Sequence, residues 1–540
     1  MSKLFKRLLE VRGLDESFLN PSYSDLTDPF FMPDMTKAVA RVKQAIATGE
    51  RILIYGDYDV DGVTASTVTE QTLVLAGAAP KNIDIMLPDR FADGYGMSPR
   101  LIKRAEKQKT NLVITVDCGS RNHDIIDELN TLGIDTIVTD HHETGDTLPD
   151  AVAIIDPKRK DFKSANGLCH LAGVGVAFKL AEALVREGLI KNGQEKWLLD
   201  LVLIGTICDN MLLAGENRIL GLYGIKVLAR TRRPGLKELI KKAGVKNLNS
   251  ESIGFQIGPR LNAAGRLDTA DLSLNLLRSN SPVESASLAE KLEVLNKKRR
   301  TEQISATREI AERGVSDEPV IIETGHWHEG ILGIVAGRLV EEYHRPAFVL
   351  SEVENGIYKG SGRSFGDFSL AEALSFAKDS IIGGGGHAGA AGVRVSGDNL
   401  YKFREQVNEY YRSLHLVDQE KYLKDQPDLD VEDFSDFNLD FLSELKSLEP
   451  FGPGNEEPIF RLKNVSIMNR TRMGKDRNHL RLDLCDKNHK TLKCVAFFAP
   501  DAWLSLDPDY DHIEPLVKII ENDYNGVKSL EARLVDIWYN

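Results

Sequence analysis

The chain has 540 residues, with 68 Lys and Arg against 81 Asp and Glu for a net charge of −13, which excludes a uniformly basic nucleic-acid coat. Its 42% hydrophobic and 28% charged residues suit a globular protein of several domains and exclude disordered, collagen-like and coiled-coil readings. It has no apolar run near the roughly 18 residues that span a bilayer, no export signal in the first ten residues, and five scattered cysteines without a CxxC pair, so a reducing cytoplasm is the expected home.

Residues 1–50 read as a helical lead-in, with apolar residues at helical spacing from Asp34 to Val42. From Arg51 short apolar runs alternate with helix-sized segments. Ile52–Tyr55, Ile83–Leu87, Leu112–Val116, Thr136–Thr139 and Ala153–Ile155 read as buried strands, with helices such as Thr64–Leu75 and His123–Leu132 between them. That alternation predicts an α/β domain with a mainly parallel sheet covered on both faces, over residues 51–282. Val283 to Ala311 carries many charges and neither Gly nor Pro, which predicts a long connecting helix over 283–315. A second α/β domain is expected over 316–415. An acidic connector spans 416–449 (Asp425, Asp428, Asp430, Glu432, Asp433, Asp436 and Asp440), and short strand-like runs over 450–540 suggest a small OB-type β-barrel.

The chemistry concentrates just after strands. Ile52–Tyr55 leads into Asp57-Tyr58-Asp59-Val60-Asp61-Gly62, Leu112–Val116 into Asp117, and Thr136–Thr139 into Asp140-His141-His142. The carboxyl ends of parallel strands open on one crevice, so these groups are expected to converge there. Seven carboxylates and imidazoles crowded at one rim repel and desolvate one another unless cations sit among them. Aspartate oxygens with some histidine nitrogen, and no cysteine, suit Mn²⁺ or Mg²⁺ better than zinc. Bridging carboxylates hold two such ions about 3.5–4 Å apart in phosphoryl-transfer sites. A single Asp after a strand is more often a helix cap; three such sites together favour metal. An EF-hand is disfavoured because the twelfth loop position is Val68.

These motifs resemble the DHH phosphoesterase superfamily and, within it, the RecJ single-strand-specific exonuclease family. Gly56–Gly62, Asp89–Gly96, Asp140–His142, Cys208–Leu213, Ile257–Arg266 and Trp327–Ile334 are similar to successive family blocks in the same order. Two departures are visible: altered surroundings for Asp209, and Glu329 where the family more usually has proline. The resemblance implies Asp59, Asp61, Asp117, His141 and Asp209 as ligands of two Mn²⁺ or Mg²⁺ ions. It implies Asp57 as an added rim carboxylate, Asp140 as an orienter of the imidazoles, and His142 at the substrate phosphate or in proton delivery. Ile381–Gly392, with four consecutive glycines before His387, is similar to the signature of the DHH-associated nucleic-acid-binding domain; alone it reads equally as an anion cradle or a flexible turn. With it go a 5′-phosphate pocket of Arg90, Ser361 and Arg363, and further contacts from Arg260, Asn262, Arg266, His328 and His387. Gly173-Val174-Gly175 opens an apolar helix and reads as packing.

Residues 461–481 hold seven cations against Asp476, a local net charge of +6 consistent with a single-strand groove of oligonucleotide-binding type, or with a solvated hairpin. The Lys297–Arg300 run is a weaker sign of strand binding and reads at least equally as a solvated helix face. The family implies a 5′-to-3′ exonuclease hydrolysing single-stranded DNA to 5′-mononucleotides in DNA repair and recombination. It further implies a monomer, a single-strand-binding protein and a RecQ-type helicase as partners, and no membrane. The alternatives are a DHH-type phosphodiesterase of short oligonucleotides or cyclic dinucleotides, and a non-enzymatic replication scaffold.

Overall fold

Strands that bury side chains on both faces need cover on both sides, and the N-terminal half supplies it with helices. In the computed structural model β1 (Ile52–Tyr55), β2 (Ile83–Met86), β3 (Leu112–Val116), β4 (Asp135–Thr139) and β5 (Ala153–Ile155) form one sheet in the order β2-β1-β3-β4-β5. Every pairing in it is parallel. The strand order reverses between β1 and β3, so the crevice opens at their carboxyl ends, where Asp57 and Asp117 follow. The structure describes residues 1–94, 96–354, 356–416, 422, 425–507, 513–524 and 527–539; Tyr95 of the Asp89–Gly96 block lies outside them, as do parts of the expected connector and Asn540.

By contacts the chain forms two compact units: residues Thr27–Met211 with Tyr223–Leu423, and Met1–Leu26 with Leu212–Leu222 and Lys424–Asn540. The first unit holds the parallel sheet, a 32-residue helix Pro282–Arg313, and a second sheet. That sheet comprises β6 (Ile321–Gly325), β7 (Ala347–Glu354), β8 (Ile357–Arg363), β9 (Gly383–Gly386) and β10 (Ala390–Ser396), in the order β6-β7-β8-β10-β9. Alternation along β7 sends Phe348 and Leu350 into one core, with Phe368 and Phe403, and Ala347 and Val349 into another, with Ile310 and Val335. The glycine run is therefore an edge strand paired to β10, not the turn that its composition suggests.

The second unit is built on β11 (Leu429–Val431), β12 (Phe460–Leu462), β13 (Ser466–Met473), β14 (His479–Cys485), β15 (Thr491–Ala496), β16 (Ile513–Tyr524) and β17 (Val527–Tyr539). Their order is β11-β12-β16-β17-β15-β14-β13. Two expectations are corrected here. The acidic stretch is not a mere surface connection: β11 and the helix Leu439–Lys446 place Leu429, Val431, Phe434, Phe441, Leu442 and Leu445 in this unit's core, leaving the acids outside. The lead-in also divides. Helix Lys3–Arg12 inserts Leu4, Phe5, Leu8 and Leu9 into that same core, each worth about 2 kcal/mol of burial, and Arg12 grips Asp428 through two hydrogen bonds of 2.6 and 2.9 Å. Helix Met35–Thr48 instead stays with the parallel sheet, where Arg41 reaches Asp135 at 2.5 Å and Glu50 at 2.6 Å.

Candidate metal centre and phosphate cleft

Strand β1 ends two residues before Asp57, and the helix Val60–Leu75 starts three residues after it. Asp59 caps that helix by accepting the Gly62 N–H at 3.0 Å, and Asp61 sits in its first turn. Asp117 follows β3 in the left-handed region, φ 61°, which aspartate tolerates better than most residues. His141 follows β4, and Asp209 ends the helix Leu199–Cys208. The Nε2 atom of His141 lies 3.0 Å from Asp117 Oδ1, 3.6 Å from Asp209 Oδ2 and 3.8 Å from Asp61 Oδ2. Three overlapping ligand sets result, each with its atoms within 4.8 Å: Asp57, Asp59 and Asp117; Asp61, His141 and Asp209; Asp117, His141 and His142. Asp117 and His141 each belong to two of them.

Electrostatics and satisfaction of polar atoms both fit cations here. Asp57 Oδ1, Asp117 Oδ1 and His141 Nε2 are buried without a hydrogen-bond partner among the described residues, a costly state for groups of this kind. Burial, and then the neighbouring Asp59, lifts the Asp61 carboxyl to about 7; burial and then Asp61 lifts Asp209 to about 8. Burial and the surrounding aspartates also raise Asp57 and Asp117 well above the carboxylate range. Burial, with the neighbouring His142 charge, pushes the His141 imidazole down to about 3, leaving it neutral and able to coordinate. Oxygen-rich ligands with one neutral imidazole and no thiolate suit Mn²⁺ or Mg²⁺.

Asp61 is fixed by backbone that the sequence reading took for packing alone. The first two N–H groups of helix Gly173–Arg186 donate to it, Gly173 at 2.6 Å and Val174 at 2.9 Å, where the helix dipole favours an anion. Gly173 also abuts Asp117: a Cβ there would lie 2.6 Å from the Asp117 Cβ. Asp140 does not face the cluster. Its Oδ1 accepts the His141 N–H at 2.8 Å and pairs with His142 Nδ1 at 2.8 Å, while Oδ2 accepts the Ser120 N–H at 2.9 Å. Ser120 Oγ in turn donates to the fully buried Asp156 at 2.6 Å. Burial alone works to lower His142, but Asp140 outweighs it and lifts the imidazole to about 9; burial works to raise Asp140, but His142 holds it below the carboxylate range.

Next to the metal cluster the parallel-sheet domain and the second sheet bring arginines together. Arg90 lies 5.0 Å over the Tyr58 ring, and Arg363, on β8, donates to Ser361 Oγ at 3.3 Å. Burial and then Arg90, Arg299 and Arg363 push Arg266 down to about 9, and burial with Arg90 lowers Arg363. None of Arg90, Arg266, Arg299 and Arg363 has an ion pair among the described residues. Arg260, Asn262 and Arg266 lie on the helix Gly258–Leu267. Arg260 is already engaged, by Glu293 at 2.7 Å and the Gln256 carbonyl at 2.7 Å. Arg299, in the run taken for a solvated face, is instead half-buried; burial and then Arg300 and Arg260 lower it, and its Nε has no acceptor among the described residues. His328 accepts the Gly330 N–H at 3.1 Å through Nδ1 and meets Phe91 edge-on at 5.5 Å. Gly330 presses so closely on the Arg266 carbonyl that a Cβ would lie 1.8 Å from it. Glu329, the departure from the family pattern, pairs with Lys359 at 2.6 Å. His387 is exposed at the end of β9, lowered by burial and then by the charge of His142.

Comparison with known proteins matches three stretches: "DHH family, N-terminal domain" at residues 51–206, "DHHA1 domain" at 317–413 and "RecJ OB domain" at 428–536. The single-stranded-DNA-specific exonuclease RecJ of Bacillus subtilis (strain 168) is 37% identical over 552 residues, covering 99% of this chain and 68% of that protein. The RecJ exonuclease of Escherichia coli (strain K12) is 33% identical over 569 residues, covering 99% and 96%. The chain belongs to the RecJ family. Among solved structures, RecJ in complex with Mn²⁺ from Thermus thermophilus superposes with a TM-score of 0.83 at 29% identity, covering 99% of this chain and 76% of that one. The Mg²⁺ complex from the same organism gives 0.78 at 26%, covering 99% and 74%.

Family membership explains which groups a motif reading finds and which it misses. The RecJ blocks lead to Asp209 and Arg90, whose residue types alone are unremarkable. They do not lead to the Gly173 and Val174 amides, because a backbone donor leaves no residue signature. Ser120 and Asp156 were missed too, although both sit at strand ends of the kind that yielded Asp117 and Asp140. The Lys297–Arg300 run does not single out Arg299, because which residue of a highly charged helix faces inward depends on its rotation.

Proposed function

We infer that this chain is a metal-dependent exonuclease of single-stranded DNA, working 5′ to 3′ and releasing mononucleotides. The observation that carries the reading is the buried carboxylate–imidazole cluster, whose ligand atoms are orphaned among the described residues, standing beside arginines that have no ion pair among them either. Asp57, Asp59 and Asp117, together with Asp61, His141 and Asp209, are the residues that would hold Mn²⁺ or Mg²⁺ ions. Bound there, the ions supply charge neutralisation for a phosphodiester and acidify water near neutral pH.

The protein's own groups do the rest. The Gly173 and Val174 N–H groups aim Asp61 and favour its ionised form against the burial that raises it. Asp140 keeps His142 an imidazolium, which holds a proton for the phosphate or the departing 3′ oxygen. Arg90, Ser361, Arg363 and Arg266 take the 5′ phosphate, with guanidinium edges matched to its oxygens. Arg299 and Asn262 continue the track, while His328 and His387 close on the strand from the second-sheet side. The contacts of Phe91 with His328 and of Arg266 with Gly330 join the two walls beside the arginines. A strand therefore enters by an end, which supports exonucleolytic rather than internal cleavage.

Monomeric state, a single-strand-binding protein and a RecQ-type helicase as partners, and a cytoplasmic site of action belong to the same proposal. Five free cysteines suit a reducing compartment. Among the described residues no helix is long and apolar enough to cross a membrane.

The test is Mn²⁺-dependent digestion of 5′-labelled and 3′-labelled strands beside the same strand in blunt duplex, with Asp59→Ala as control. Immediate release of labelled mononucleotide from the 5′ end, with the duplex intact and the variant inactive, is expected. Hydrolysis of dinucleotides with long strands untouched would instead establish a small-substrate phosphodiesterase.

A further inference from the structure

Strand β8 brings a row of polar side chains to the phosphate cleft. Residues two apart on a strand share one face at a spacing of about 7 Å, so Lys359, Ser361 and Arg363 stand in line, opposite Ser351, Val349 and Ala347 of β7. The row runs along the start of the helix Leu332–Tyr343, where a Cβ on Gly333 would lie 2.9 Å from Ser361 Oγ and 3.0 Å from Arg363 Nη2. Its two cations are treated differently. Arg363 donates to Ser361 Oγ and to the Gly362 carbonyl and has no acid beside it among the described residues. Lys359 is held by Glu329 at 2.6 Å.

Glu329 opens the single 3-10 turn Glu329–Ile331, between His328 and Gly330. The first N–H of a helical turn has no partner within it, so proline fits that position, and proline is the residue more usual in the family. Backbone geometry therefore does not ask for glutamate. What the side chain adds is a carboxylate, one residue from the point where Gly330 presses on the Arg266 carbonyl. The pair it makes is also more open than the other engaged cation of the cleft. Lys359 and Glu329 keep 37% and 26% of their side-chain surface, against 12% and 10% for Arg260 and Glu293. A partly exposed pair is worth little, and a phosphate can take the lysine over.

We propose that Lys359 binds the phosphate next to the one held by Ser361 and Arg363, and that Glu329 is the counter-charge that this phosphate displaces. The inference rests on the phosphate pocket of the proposed function and adds to it a positioning residue that sets the strength of the grip. An exonuclease lets go of its strand and advances after every cut. A lysine that surrenders one anion to gain another holds the strand less tightly than a bare one. It also makes binding less sensitive to salt, because the released carboxylate recovers part of the cation atmosphere that the phosphate gives up.

The experiment measures the affinity of the full chain for an oligodeoxythymidylate with a 5′-phosphate or a 5′-hydroxyl, in chelator so that nothing is cut, across a salt series. It compares the chain with Glu329→Gln, Glu329→Pro, Lys359→Gln and Glu329→Gln combined with Lys359→Gln. Gln preserves the shape of the side chain and Pro the backbone turn, so both variants keep the wall intact. Each should bind about fivefold tighter at low salt, with a salt slope steeper by about 0.7, and to the same extent on both strands. The gain should vanish when Lys359 is replaced as well. Unchanged or weaker binding in both Glu329 variants, a gain that survives the loss of Lys359, or a gain confined to the 5′-phosphorylated strand would overturn the proposal and leave the exonuclease reading standing. A chain that binds neither strand would bring down that reading, and the proposal with it.

Discussion

In the cleft, Arg90, Arg266, Arg299 and Arg363 stand without an ion pair among the described residues, and the aspartates beside them are crowded against one another. The C-terminal sheet is as rich in cations but treats them differently. Arg461 and Lys463 are tied to Asp430 at 2.6 and 3.0 Å, Arg481 to Asp483 at 3.1 Å, and Arg470 and Arg472 to the Leu504 carbonyl at 3.2 and 3.0 Å. Of the seven cations between residues 461 and 481, Lys475 and Arg477 alone lack a partner of this kind among the described residues, both exposed beside Gly474 between β13 and β14. Counting charge along a sequence makes the two regions look alike; asking which charges are already satisfied separates them. A ligand is needed only where folding leaves charge uncompensated.

The sharpest way to break that contrast is to neutralise a crowded carboxylate. Asp117→Asn should lower Mn²⁺-dependent turnover about a thousandfold while leaving the metal-free melting temperature unchanged or higher, because it removes a buried like charge. A fall in that temperature would mean that Asp117 is structural. Next in size, Arg266→Ala should raise KM for a 5′-phosphorylated strand about tenfold, roughly the worth of one charge-assisted hydrogen bond, and affect a 5′-hydroxyl strand less. Equal effects on both would place Arg266 outside the phosphate pocket.

Proton linkage offers a third measurement. Asp61 and Asp209 sit at about 7 and 8 in the folded chain, above the ordinary 3.8. Their raised values favour the folded state at acid pH, and that contribution disappears as pH climbs from about 4 through 8. The metal-free protein should therefore melt at progressively lower temperature over that window. Added Mn²⁺ should raise the melting temperature more at pH 8 than at pH 5; an equal rise at both would sink the assignment of these carboxylates as ligands. The smallest effect belongs to the C-terminal sheet. Replacing Lys475 and Arg477 by Ala should reduce the salt dependence of oligonucleotide binding by about one unit of slope each, and Arg461→Gln should leave it unchanged.

How much of this was legible beforehand follows from where each group gets its role. Asp57, Asp117 and His141 are readable because parallel strands deliver their carboxyl ends to one crevice, and the strand runs are unambiguous. The acidic stretch around Asp430 misled because its apolar residues, Leu429, Val431 and Phe434, are diluted by carboxylates that all face outwards. The basic stretch looks freer in sequence than in the fold: Asp430 comes opposite Arg461 only through the register of β11 with β12, whereas Asp483 meets Arg481 two residues away on the same strand. Asp156 shows a third kind of limit: it matters through Ser120, 36 residues away, and only the folded loop brings them together.

The insertion of helix Lys3–Arg12 into the C-terminal core also bears on how the chain is made. Arg12 and Asp428 are partners separated by 416 residues, so the first helix leaves the ribosome long before its binding site exists. At synthesis rates of about 5–20 residues per second, the apolar stripe of Leu4, Phe5, Leu8 and Leu9 waits uncovered for roughly 20–80 seconds. During that interval its apolar residues have no core to join, and the segment around Asp428 is what finally covers them.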